Sequence, residues 1–266
     1  MSLKITTWNI NSVRLRITMV QDYLKQHQPD VLCLQEIKCP NDKFPADAFN
    51  ELGYEHHAIH GQKGYHGVAT LSRLPLEDIA STDYCRMGDT RHVECILEKD
   101  GQRLRIHNFY VPAGGDEANL DTNPKFVHKM DFLAEMKSLS ATVGNIPSVL
   151  VGDLNIAPLE TDVWSHKQLL KVVSHTPLET DTLKEVMAAG GWADLVRHHI
   201  PPEEKLFTWW SYRSKEWSTA NKGRRLDHIW SSPELADKLV RIDVLREARG
   251  WVKPSDHVPL TAEFEF

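Results

Sequence analysis

The stretch Pro147-Ser-Val-Leu-Val-Gly-Asp-Leu-Asn-Ile-Ala-Pro158 constrains this chain more than any other. Val149, Leu150 and Val151 form a short apolar run, the pattern of a strand buried on both faces. Gly152 then reads as a break, and Asp153 and Asn155 follow at i and i+2. In extended chain those two side chains point the same way. A carboxylate at the end of a buried strand is costly unless it is paired, protonated or bound to a metal. The plainer reading is a turn, since Gly, Asp, Asn and Pro are all turn formers. What favours a site is that other strands here end in the same manner.

Those ends follow in chain order. Leu3–Thr7 reads as a strand leading to Asn9, and Val13, Ile17, Val20 and Leu24 then recur at helical spacing with Ser12 as the expected N-cap. Val31–Leu34 runs into Gln35-Glu36. Asp-Gly at 100–101 predicts a hairpin between strands at 92–97 and 104–111, the second carrying Tyr110. Asn123-Pro124 opens a helix with Phe126, Met130, Leu133 and Met136 on one face. Thr182 and Glu185 form the expected capping box of a helix ending at Gly190-Gly191. Strands are expected at 207–212, 225–230, 239–245 and 258–264, whereas 159–180 shows no clear pattern. Helices interleave with strands, yet hairpins occur, which favours a mixed-sheet α/β sandwich over a doubly wound parallel sheet. No linker divides the 266 residues, so the expectation is a single domain over 1–266.

Composition excludes several classes. The chain carries a net charge of −6, split evenly between its halves, so it does not coat nucleic acid by charge alone. No stretch is long and apolar enough to cross a membrane. Met1–Thr7 leads directly into a strand-like run without a signal-peptide core, and the four cysteines have no zinc-like spacing, so the expected location is the cytoplasm. The glycine-rich segment 61–67 is not a phosphate-cradling P-loop, because it lacks GxxxxGK[ST].

The residues just past strand ends are Asn9, Glu36, Tyr110, Asp153, Asn155, Asp227, His228, Asp256 and His257. Singly, each has an ordinary structural explanation: a capped turn, a surface charge, a core tyrosine, an ion pair of Asp227 with Arg225. Together they make an oxygen-rich set without thiolates, suited to Mg²⁺ or Mn²⁺. Such a set suggests metal-assisted phosphoester cleavage, with His257 oriented by Asp227. A serine hydrolase fits less well, as there is no GxSxG. Between Lys205 and Arg225, six basic residues (Arg213, Arg224 and Arg225 among them) alternate with Phe207, Trp209, Trp210, Tyr212 and Trp217. Cations and aromatic faces suit an unstacked nucleic-acid strand, although a tryptophan core under a solvated basic face would look the same.

Trp8-Asn9-Ile10-Asn11, Leu34-Gln35-Glu36, Asn108-Phe109-Tyr110-Val111-Pro112, Gly152-Asp153-Leu154-Asn155, Arg225-Leu226-Asp227-His228 and Pro254-Ser255-Asp256-His257 resemble the exonuclease III family of abasic-site endonucleases. The motifs stand in family order over nearly the whole chain. The resemblance implies a four-layer α/β sandwich with two mixed sheets, like the DNase I superfamily. It implies Mg²⁺-dependent cleavage of duplex DNA 5′ to an abasic site, 3′–5′ exonuclease activity and trimming of blocked 3′ ends; separately, a monomer is expected. By matching position, Tyr110, Asp153, Asn155, Asp227 and His257 would be catalytic. Asn9, Glu36, Asp153, Asn155, Asp256 and His257 would surround the metal. Trp209, Arg91 and Arg213 would bind substrate. Asn11, Ala113 and Arg224 depart from residues common in the family, and His166 is a bulky polar residue expected to influence the balance of exonuclease to endonuclease activity. Other phosphoesterases of the superfold, and non-catalytic RNA-binding relatives, are the competing readings.

Overall fold

The computed structural model describes residues 2–266; Met1, part of the expected first run, lies outside them. Among the described residues the strands form two large mixed sheets and a two-stranded ribbon. The first sheet runs Leu239–Val244, Leu260–Glu265, Ser2–Asn9, Val31–Gln35, Val68–Ser72, His56–His60 in space. The second runs Ala193–Asp194, Asp227–Ser231, Ile146–Asp153, Gln102–Tyr110, His92–Lys99, Glu77–Ala80. Each has one parallel pair at its centre: Ser2–Asn9 beside Val31–Gln35, and Gln102–Tyr110 beside Ile146–Asp153. Parallel neighbours need a crossover, supplied here by helices Ile17–His27 and Pro124–Met136.

Alternation along the strands decides the layers. Val149 and Val151 face inward, joining Ile5, Cys33 and Ile106 in a core between the sheets. Leu150 faces outward and meets Phe132, Leu133 and Leu183 of helices Pro124–Met136 and Pro177–Gly190. On the first sheet Leu32 and Leu34 meet Val20, Tyr23 and Leu24 of helix Ile17–His27. Burying each such side chain contributes roughly 1.5–3 kcal/mol. The order helices, sheet, sheet, helices is the expected α/β sandwich.

Several local expectations are corrected. Gly152 does not break its strand, which continues to Asp153. It is glycine because φ is +142° and a Cβ would stand 2.0 Å from the carbonyl oxygen of Phe109 on the neighbouring strand. Ser12 caps no helix: its φ is +86°, and the helix begins at Ile17. The capping box is Thr176 with Glu179 at the start of Pro177–Gly190. Strand 207–212 shrinks to Trp209–Trp210, paired with Gly223–Arg224. The Asp100-Gly101 hairpin is present, Lys99 facing Gln102, with both turn residues at positive φ as its tight turn demands.

Residues 159–180 fold into a turn at Glu160–Asp162, a short helix His166–Leu169 and the start of Pro177–Gly190. Arg225 pins this segment. It is fully buried and donates to Asp162 at 2.8 and 3.0 Å and to Asp194 at 2.8 Å. It therefore partners neither Asp227 nor a solvated basic face.

Candidate active site

The carboxyl ends of the two parallel pairs meet at one place. Asn9 ends its strand fully buried, and its amide donates 2.9 Å bonds both to Glu36 Oε1 and to Asp153 Oδ2. Glu36 follows the neighbouring strand directly, at φ +50°, where backbone strain persists only if surroundings hold it. The Tyr110 hydroxyl donates to the same Glu36 Oε1 at 2.9 Å. Sheet register puts Asp153 beside Tyr110 on one side and Asp227 on the other. His257 Nδ1 donates to Asp227 Oδ2 at 2.8 Å, and its Nε2 stands 3.6 Å from Asp153 Oδ2.

Asn155 joins this group differently from the expected shared face. The chain turns after Asp153, Asn155 takes φ +54°, and its backbone N–H donates to Asp153 Oδ1 at 3.0 Å. Its side-chain amide reaches the Val111 carbonyl at 2.9 Å. Asp256 is held by Asn11 Nδ2 at 3.2 Å and by the Trp209 indole at 2.9 Å.

The electrostatics follow from burial among like charges. Burial raises Asp153 to about 7; Asp227 and Glu36 push it up further, against His257 and the Asn9 amide. Burial opposes charge on His257, yet Asp227 and Asp153 outweigh it and raise the imidazole to about 10. Of that pair, the imidazole holds its proton more tightly. Burial also opposes charge on Glu36, but the Lys38 ammonium at 2.8 Å prevails and keeps it below the usual glutamate range. Asp256 likewise lies low, as His257 and the Trp209 N–H outweigh burial. Four carboxylates thus face two cations, Lys38 and His257, and Asp227 Oδ1 is buried without a partner. Asp153, Asp227 and His257 each bring a potential ligand atom within 4.8 Å of the others, but a protonated His257 cannot ligate, which leaves the carboxylate and amide oxygens. A buried oxygen-donor set with surplus negative charge fits a hard divalent cation.

The floor opens into a cleft of 840 Å³, walled by Trp164, Val172–Ser174, Trp209, Arg213, Lys222, Arg224 and Leu226. Arg224 stacks 5.3 Å over Trp209, and Lys222 lies 4.7 Å over Trp164.

The endonuclease/exonuclease/phosphatase family model matches residues 6–257. The chain belongs to that family. It is 32% identical to exodeoxyribonuclease III of Haemophilus influenzae, across 99% of this chain and all of that protein. An AP endonuclease from Archaeoglobus fulgidus superposes with TM-score 0.88 at 33% identity, across 99% and 100% of the two chains. The 3′ phosphatase NExo from Neisseria, solved with a product DNA hairpin, gives 0.85 at 32% identity, again across 99% and 100%. Within the family, the chain falls in the exonuclease III group that its motifs resemble.

For a member of this family, the expected residues fall unevenly. Asn9, Glu36, Tyr110, Asp153, Asn155, Asp227, Asp256 and His257 converge, and Trp209 and Arg213 line the cleft. Arg91 does not. It lies buried behind Tyr110, its guanidinium 5.0 Å from that ring and bonded to the Tyr110 carbonyl, Asp89 and His66. His228 is buried, bonding the Ile156 carbonyl. Trp210 and Phe207 are core, so the aromatic segment divides between core and cleft. His166 faces a separate cavity beside Glu160 and bonds His175 at 2.8 Å.

Sequence reasoning missed three supports. Lys38 bonds Glu36 and, at 2.6 Å, Asn11. Ser255 Oγ donates to the Asn9 carbonyl at 2.6 Å, and the Trp8 indole donates to the His257 carbonyl at 3.1 Å. Trp8 and Ser255 stand inside the motifs and Lys38 two residues beyond one, and that position was their only signal. A second trio, His92, Glu94 and His107, also clusters. There the Thr82 amide donates to His92 Nδ1, which leaves the proton on the nitrogen facing His107.

Proposed function

We propose that this chain is a DNA-repair phosphodiesterase that cuts duplex DNA 5′ to abasic sites and also trims 3′ ends, using Mg²⁺. The observation that supports it most is the convergence of Asn9, Glu36, Tyr110, Asp153, Asp227 and His257 beneath an open cleft walled by aromatic and basic side chains. Glu36, with Asn9 and Asp256, would hold the metal, for which Mn²⁺ is the alternative oxygen-seeking ion. A bound divalent ion supplies neutralisation of phosphate charge.

The side chains then divide the work. Asp153, with affinity for a proton near neutral pH, takes the proton of the attacking water, which is where a general base works best. Asn155 fixes the Asp153 carboxylate through its backbone N–H. His257, kept protonated by Asp227, donates from Nε2 to a non-bridging phosphate oxygen as charge builds there. The P–O3′ bond breaks, Tyr110 supports the departing oxygen, and that oxygen takes a proton from solvent, leaving a 3′-hydroxyl. Trp209, Leu226 and Trp164 form the wall for the extruded sugar, and Arg213 stands at the rim for phosphate. We take the protein to work as a monomer and as one domain over 1–266. None of the described helices is long and apolar enough to cross a membrane, and the cytoplasm is the compartment we assign.

The test is a labelled duplex with one abasic analogue, beside an intact duplex, each with Mg²⁺ and with EDTA. A single metal-dependent cut at the lesion is expected from wild type, and none from Asp153→Asn. Full cleavage by Asp153→Asn refutes the mechanism, and no cleavage by wild type refutes the function.

A further inference from the structure

Lys129 sits on helix Pro124–Met136, and both it and Glu179 are fully buried. An ammonium has three donors, and burying it is costly unless they are spent. Here Glu179 Oε1 lies at 2.5 Å, the Asn155 carbonyl at 2.8 Å and the Ala113 carbonyl at 3.4 Å. Glu179 in turn accepts from the backbone amides of Ser174 and Thr176 and from the Thr176 hydroxyl. One ion pair therefore ties together three loops distant in sequence: the loop after Tyr110, the Asp153–Asn155 turn, and the turn at 172–176. All three line the cleft.

A buried ion pair alone is weak evidence for stability, since apolar residues of similar volume often serve as well. The destination of these bonds is what matters. Lys129 reaches past its own helix to the backbone of the turn whose Asn155 N–H holds Asp153. Across the cleft, the Ser174 hydroxyl accepts from Arg224 at 2.8 Å, and Arg224 stacks on Trp209. The chain also makes room for the lysine stem: Gly114 has φ +88°, and a Cβ there would stand 2.9 Å from Lys129 Cδ.

We propose that Lys129, paired with Glu179, is a positioning residue for hydrolysis, setting the Asp153–Asn155 turn and the 172–176 wall of the cleft. The proposal rests on the hydrolytic reading above only for its kinetic readout.

Lys129→Met alone would strand the buried Glu179 charge and endanger folding. The informative variant is Lys129→Met with Glu179→Gln, whose amide oxygen still accepts from the 174–176 amides. On the abasic duplex with Mg²⁺, kcat is expected to fall about 10- to 100-fold, the usual scale for a supporting shell. KM, and binding of uncut duplex in EDTA, stay within about threefold. Hydrogen exchange speeds up in peptides covering 153–156 and 172–176 and stays slow in the central strands. Glu179→Gln alone would strand the buried Lys129 ammonium just as Lys129→Met strands the carboxylate, so neither single variant serves as the control. Unaltered exchange at 153–156, or a kcat of the double variant within about twofold of wild type, overturns the proposal. If wild type cuts neither abasic duplex nor 3′ ends, the hydrolytic reading fails, and exchange at 153–156 and 172–176 still decides the role of Lys129.

Discussion

Asp227→Asn isolates the hydrogen bond that charges His257. At 2.8 Å and an effective dielectric near 20, that carboxylate and an imidazolium attract by about 6 kcal/mol, or roughly four pKa units. The imidazole stands at about 10 in the intact site. Without Asp227 it keeps Asp153 at 3.6 Å but loses its larger attraction, and should titrate near about pH 6. The sign is that of a raised base. The charged ring stabilises the fold fully below its unfolded value of 6.5, and that contribution is lost as pH rises through about 10. The substitution is nearly isosteric, so the change is one of charge. The direct assay is NMR titration of the His257 Cε1–H in metal-free protein with EDTA. Wild type should show no titration below about pH 9, and the variant a midpoint near about 6. With Mg²⁺ near neutral pH, kcat/KM of the variant should fall about 10²- to 10³-fold, the usual loss of one transition-state donor. A variant His257 still protonated above about pH 9, or activity within about threefold of wild type, would refute the reasoning.

Three further outcomes follow from single contacts. Glu36→Gln should weaken Mg²⁺ binding by calorimetry at least about tenfold; unchanged affinity would place the ion on the other carboxylates. Gly152→Ala drives a Cβ to 2.0 Å from the Phe109 carbonyl and should cost more than about 4 kcal/mol in denaturant unfolding; wild-type stability would mean the two strands can part there. Arg225→Met leaves Asp162 buried with Arg197 at 2.5 Å as its remaining cation and should cost about 3–5 kcal/mol; weakened DNA binding at unchanged stability would instead turn that guanidinium toward substrate.

What could be read from the chain alone was whatever local chemistry makes unusual. A carboxylate closing an apolar run is expensive, so Glu36 and Asp153 stand out wherever they occur. Their mutual register is not local, and no spacing shows that Asp153 lies between Tyr110 and Asp227. Arg225 misled for the same reason: its partners Asp162 and Asp194 are far off in sequence, and an arginine in a basic stretch interleaved with tryptophans looks solvated. The capping box was misplaced because Thr176-x-x-Glu179 and Thr182-x-x-Glu185 are the same pattern, and only Pro177, able to open a helix, separates them. Asn155 was assigned to an extended strand, whereas a left-handed residue lets its backbone, not its side chain, meet Asp153. Arg91 carries a charge that sequence assigns to DNA and the fold spends behind Tyr110.

The order of strands has a consequence for the integrity of the site. His257 and Asp256 directly precede Leu260–Glu265, the last strand, which slots between Leu239–Val244 and Ser2–Asn9. The hydroxyls of Thr6 and Thr261, 255 positions apart, meet at 2.8 Å. Ser2–Asn9 is flanked by Val31–Gln35, which leads into Glu36, on one side and by Leu260–Glu265, which follows His257, on the other. The site is therefore completed by a contact between residues 255 positions apart, and it depends on Leu260–Glu265 staying docked against Ser2–Asn9.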